Sequence, residues 1–121
     1  LDIITEDVPG DYYIKTKKRL SSFVPTDLEF LLRNLDIDNV ILTGTMTCAC
    51  VLSTAFDAAN LDFRVIVPRD ICGGYSAESE HSALQVISLH LGLVTDSAAL
   101  LKEYSAIKNI DVSKQIDELV I

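Results

Sequence analysis

No apolar run in this sequence approaches the length that crosses a bilayer as a helix, so no helical membrane span is expected. Basic charge is also in short supply. Ten Lys and Arg stand against eighteen Asp and Glu, and the net charge of −8 argues against nucleic acid as a partner, because phosphate binding needs clustered cations. The one basic cluster, Lys15, Lys17, Lys18 and Arg19, is short and local. The opening LDIITEDVPGDYY is acidic, so neither a secretory signal nor an Arg-rich transit peptide is expected in it. It also lacks an initiator Met, a hint that the chain does not begin where its gene begins. Cysteine is sparse and odd in number: three thiols without a leader suggest reduced cysteines in a cytoplasmic protein, with at least one unpaired. Repeats, low-complexity tracts and linkers are missing, and 121 residues suffice for one small domain but not two.

What remains is an ordinary globular balance, 49% apolar and 23% charged, patterned as strand and helix in alternation. Residues 12–16 (YYIKT) carry β-formers and run into the basic cluster. Thr26-Asp27-Leu28-Glu29 fits a capping box, and Leu28, Leu31, Leu32 and Leu35 follow on one helical face. Residues 39–43 (NVILT) and 63–67 (FRVIV) read as strands covered on both sides, the second closed by Pro68. Small residues over 50–59 suit a helix packed close to a sheet, and Gly73-Gly74 marks a loop. Residues 79–91 read as a helix with Leu84, Ile87 and Leu91 inward. Val94-Thr95 is a last short extended piece before a helix over 97–104, and the tail over 108–121 is amphipathic. The alternation predicts an α/β fold with a parallel sheet. So few strands leave a core-type edge bare, as if the rest of the sheet lay elsewhere.

Ligands of open α/β sheets bind beyond the carboxyl ends of the strands. The segments reaching that edge are Lys17 with its neighbours, residues 44–50 and residues 70–74. The stretch GTMTCACVLSTAFDA places Cys48 and Cys50 one residue apart after an apolar run. Cys50 falls near the start of a helix, where free backbone N–H groups and the helix dipole favour a thiolate and supply oxyanion donors. Packing is the plain alternative, since cysteine is among the most buried residue types. A metal site is disfavoured: Cys-x-Cys is not the usual zinc spacing, and no second ligand pair appears. His81 and His90, nine residues apart in one helix, face roughly opposite sides. Cys72 reads as a small residue in a turn.

Three blocks together carry a resemblance. KKRLSSFVPTDL holds Lys17, Ser21, Phe23 and Thr26 at the spacing of the lysine motif of the isochorismatase-like cysteine hydrolases. Gly44, Thr47, Cys50, Val51, Thr54, Ala55, Asp57 and Ala58 fill that family's nucleophile motif, and VIVPRDICGGYSAESEHSAL follows its third block with Asp70 and His81. The match runs over about residues 10–101 in family order. The resemblance implies a three-layer αβα fold and a cysteine hydrolase or amidohydrolase using an Asp–Lys–Cys triad. Carried over, Cys50 is the nucleophile that forms a thioester, and Lys17 is the cation beside it. The backbone N–H groups of Met46 and Cys50 form the oxyanion hole, and the Thr45–Met46 peptide is cis.

The family's Asp, which ends its first strand, has no counterpart here. The resemblance therefore implies that residues 1–121 are the C-terminal part of a single domain, inactive alone, whose partner is the missing N-terminal part. It further implies a small-molecule substrate with an amide-type C–N bond, a homo-oligomer (dimer or tetramer), and no cofactor required from this chain. A divalent metal joins only if the missing part is nicotinamidase-like. The competing expectation is a non-catalytic binding or scaffolding member of the same fold. A third, more remote, is a redox protein using Cys48 and Cys50.

Overall fold

The computed structural model describes residues 9–107; the tail singled out over 108–121 lies outside the described residues. The elements run α1 (Leu28–Asn34), β1 (Asn39–Ile41), β2 (Gly44–Thr45), a π-helical turn (Thr47–Val51) leading into α2 (Leu52–Asn60), and β3 (Arg64–Pro68). A 3-10 turn (Arg69–Ile71) then leads to β4 (Cys72–Gly73) and α3 (Ala77–Val86). A second π-helical turn (Ile87–Leu91), β5 (Gly92–Thr95) and α4 (Ser97–Ile107) complete the order.

Three strands form a parallel sheet in the order β1-β3-β5, each joined to the next through a helix, as parallel pairing requires. Val40, Val65 and Val67 are buried with Val51, Ala55 and Ala58 of the turn and α2, and with Ile87. The small residues of α2 let that helix lie close on the strands. In the neighbouring register rank, Ile41, Ile66 and Leu93 stand side by side on the other face, and Leu93 is 59% exposed. Both ranks are aliphatic, the composition of strands covered on both faces. A second, two-stranded parallel pair, β2-β4, aligns Gly44 with Cys72 and Thr45 with Gly73 beyond the carboxyl ends of β1 and β3.

The sheet extends further at one end than its residue types suggest. β5 begins at Gly92, two residues before the expected Val94, because Gly92 sits opposite Val65 without a side chain in the way. A Cβ there would lie 2.2 Å from the Val65 carbonyl oxygen.

Residues 12–16, for all their β-formers, do not make a strand. They are irregular with a turn at 15–16, and they pair with no strand among the described residues. Tyr12 and Tyr13 are 59% and 44% exposed, and β-propensity acts through burial on a half-covered sheet surface, so rings this exposed give it little to act on. The capping box at Thr26 does not form either. The Thr26 hydroxyl donates to the Ser22 carbonyl (2.6 Å) and accepts from the Leu28 N–H, while Glu29 pairs with Arg33 at 3.5 Å. The box appears instead at Ser76 and Ser79, which exchange side-chain and backbone bonds and start α3.

Helices α1 and α2 end alike. Asp36 and Asp62 take positive φ (54° and 66°), and the N–H groups of Ile37 and Phe63 reach back to the Leu32 and Ala58 carbonyls. That is the six-to-one bond of a Schellman ending, built on Asp where Gly is usual. Phe63, delivered by the second ending, stacks on Phe23 at 5.8 Å and lies under the Arg33 guanidinium.

Candidate active site

The site grows from the end of β1. Leu42 and Val51 are fully buried and fix both ends of the segment between them. The chain leaves β1 through Gly44, whose φ of +114° is the region that glycine favours, and passes the cis Thr45–Met46 peptide. It then winds into the π-helical turn, closed by Val51 N–H to the Met46 carbonyl at 3.2 Å. Cys50 sits half-buried in that turn, two residues before α2 begins at Leu52. Met46 is 39% exposed at the mouth. Thr47, the first residue of the turn, is buried, and its hydroxyl has no hydrogen-bond partner among the described residues.

Lys17 comes from the irregular segment that follows residues 12–16. Its Nζ lies 3.7 Å from the Cys50 Sγ and donates at 2.8 Å to the Arg19 carbonyl, which holds the ammonium in place. Thirty-three residues separate the pair in sequence, so the fold alone brings them together. Among the described residues no Asp or Glu forms an ion pair with Lys17.

A buried polar seam holds this approach and was not legible as such in the sequence. The Ser22 N–H donates to the Thr54 hydroxyl (3.0 Å), which in turn lies 3.4 Å from the Ser22 hydroxyl. Both residues are almost wholly buried, where a paired hydroxyl stabilises and an unpaired one costs about 1–3 kcal/mol. Thr54 follows Cys50 by one helical turn. The seam thus ties the lysine segment to the helix that carries the thiol. Phe23, on the core side of the seam, anchors it further.

The other candidates lie apart. All three cysteines are free thiols, and Cys48 and Cys72 are half-buried. Burial pushes the Cys72 thiol up, and its Sγ donates at 3.7 Å to the Leu42 carbonyl: it packs in β4, not in a turn. Asp70 is an exposed cap for α4, accepting from the Ser97 N–H at 2.7 Å and from the Ser97 hydroxyl. Those bonds hold its carboxyl below the usual range. Arg69 pairs beside it with Asp96 at 2.8 Å. His81 and His90 are exposed. Among the described residues no group of three or more His, Cys, Asp or Glu could hold a metal ion. Among them, too, no helix is long and apolar enough to cross a membrane. A cavity of about 260 Å³ lined by Phe23, Val24, Glu29, Asp57, Asn60 and Leu61 lies at the far end of α2 and includes neither Lys17 nor Cys50.

Fold and site together define an α/β domain that presents a lysine–cysteine pair beyond the carboxyl ends of a parallel sheet. Residues 2–99 match the model of the Isochorismatase domain, and the chain belongs to the isochorismatase family. An uncharacterized isochorismatase family protein, PncA, of Bacillus subtilis is 38% identical over 87 residues, which are 72% of this chain and 47% of that protein. The maleamate amidohydrolase of Pseudomonas putida is 32% identical over 88 residues, 72% of this chain and 41% of its own length. The crystal structure of an isochorismatase-like hydrolase from Alkaliphilus metalliredigens superposes with a TM-score of 0.71 at 30% identity, covering 80% of this chain and 56% of that one. The chain therefore has the α/β fold of the family and spans about half the length of the curated relatives it matches.

Proposed function

We propose that this chain carries the nucleophile half of a cysteine hydrolase that cleaves an amide-type C–N bond in a small molecule. The observation that carries the reading is the Lys17 Nζ standing 3.7 Å from the Cys50 Sγ across 33 residues of sequence. In the reaction, the Cys50 sulfur adds to the substrate carbonyl carbon while the N–H groups of Met46 and Cys50 hold the oxygen that gains charge. The C–N bond then breaks, the nitrogen leaves with a proton, and a thioester remains on Cys50. Water cleaves the thioester to the carboxylic acid and restores the thiol. Lys17 holds the sulfur's charge and orients the pair.

A carboxylate to take and return the proton comes, in this reading, from polypeptide outside the described residues. Supporting it are the share of its relatives that the chain spans and the aliphatic rank Ile41–Ile66–Leu93 with Leu93 exposed. Small primary amides, ureido compounds and nicotinamide are the substrates to try.

Incubating the intact gene product with a panel of maleamate, nicotinamide and ureido compounds, and assaying released ammonia, tests the reading. Turnover is expected from at least one of them and is expected to vanish in Cys50→Ala. Equal turnover in the variant would remove Cys50 from the mechanism. Binding of the same compounds without turnover would favour the non-catalytic reading.

A further inference from the structure

The turn that carries Cys50 is short and needs something to hold it. Its upstream anchor is β2, two residues long, and β2 is held by an equally short partner, β4. A two-residue parallel pair has little stability of its own, so β4 must be fixed from elsewhere. The residue after it, Gly74, donates its N–H to the Glu80 carboxylate at 2.6 Å. Glu80 is itself fixed: its N–H bonds the Ser76 carbonyl in the first turn of α3, which the Ser76–Ser79 capping box secures. A Cβ on Gly74 would come within 2.3 Å of the Glu80 Cγ, so the loop lies flat against that side chain. One step back, a Cβ on Gly73 would stand 3.2 Å from the Thr45 Cγ2. The path from Glu80 to the peptide before Met46 is therefore continuous contact. Helix α3 also packs directly on the turn Thr47–Val51.

From this geometry we infer that Glu80 is a positioning residue for the oxyanion hole: through Gly74 and β4 it holds β2, and with it the Met46 N–H, where the developing charge appears. The inference rests on the proposed cysteine mechanism and adds a residue that touches neither substrate nor sulfur. Charge at Glu80 is incidental to the role. What matters is an acceptor oxygen at the reach of a Glu side chain, which Gln also supplies.

The test compares Glu80→Ala and Glu80→Gln with the parent in the intact gene product, on whichever amide of the panel is turned over. Glu80→Ala is expected to lower kcat about tenfold with KM within about twofold, because a displaced oxyanion donor acts on the transition state rather than on substrate binding. Glu80→Gln is expected to recover most of that loss. Amide exchange at Gly74 should accelerate in the Ala variant. Iodoacetamide alkylation of Cys50 should stay within about twofold, since the Lys17–Cys50 contact does not involve Glu80. A kcat within twofold of the parent in Glu80→Ala overturns the inference, and so does a Gln variant as slow as Ala. Parallel loss of kcat, Cys50 alkylation and thermal stability also overturns it, by assigning Glu80 to the fold in general. Cys50→Ala is run alongside. Full turnover there overturns the nucleophile reading and this inference with it. Lost turnover there with full turnover in Glu80→Ala overturns this inference alone.

Discussion

Replacing Lys17 by Ala is expected to lower turnover about a hundredfold or more while the protein remains folded. The ammonium is held at both ends of its role, by the Arg19 carbonyl at 2.8 Å and against the Cys50 sulfur at 3.7 Å. Its side chain leaves the core untouched, because Lys17 is only half-buried and belongs to no helix or strand. The loss therefore falls on chemistry. A positioned group that manages charge at a nucleophile typically contributes about 10²–10⁴-fold. Lys17→Arg should not restore it, since the guanidinium is planar, broader and unable to stand in for a compact ammonium at one sulfur. Steady-state kinetics and a thermal melt, taken together, check the expectation. A kcat within threefold of the parent would mean the contact has no part in catalysis.

Gly92→Ala is expected to produce the largest loss of stability from one added methyl group. Gly92 lies opposite Val65 in the central strand, and its Cβ would meet the Val65 carbonyl oxygen at 2.2 Å. A backbone carbonyl cannot swing aside as a side-chain tip can. Either β5 moves away from β3 or the register from Gly92 to Thr95 is lost. Overpacking of this kind costs about 1–3 kcal/mol, and the rigid obstacle puts this site at the upper end. The melting temperature should fall by about 10 °C, read by circular dichroism or calorimetry. An unchanged melt would mean that β3 and β5 are not packed as closely as described.

How much of this was written in the sequence depends on which physical signal each feature has. β1 and β3 were legible because a strand covered on both faces needs a continuous aliphatic run, and NVI and RVIVP provide it. Helix α1 was legible from its periodic leucines, and α3 with the π-helical turn after it from Leu84, Ile87 and Leu91. Helix ends were less so. Asp36 and Asp62 end their helices with positive φ, and a reader looking for glycine passes over Leu-Asp-Ile and Leu-Asp-Phe. The β-formers at 12–16 make no strand because tyrosines and isoleucine favour one only when another strand is there to receive them. β5 was half-read, since its first residue is a glycine chosen for closeness rather than propensity.

The site divides in the same way. Cys50 was singled out by its place after a strand and turn, which local sequence can indicate. Its meeting with Lys17 is a property of the tertiary fold, and only the motif spacing hinted at it. The Ser22–Thr54 seam and the Glu80–Gly74 clamp had no independent signal, because serine, threonine and glutamate occur everywhere on a protein surface. Asp70 stood in a family block and could have been taken as catalytic. The structure gives it a plainer task, capping α4 through Ser97.

The most direct test of the account is the mass of the protein during turnover. The intact gene product is mixed with an amide that it hydrolyses, quenched with acid within milliseconds to seconds, and digested for mass spectrometry. The account predicts an acyl adduct, lacking the leaving amine, localised to Cys50 by fragmentation of the peptide that carries both Cys48 and Cys50, and absent from Cys50→Ala and from unreacted enzyme. An adduct on Cys48 or Cys72 instead, with none on Cys50 at any quench time, would contradict it.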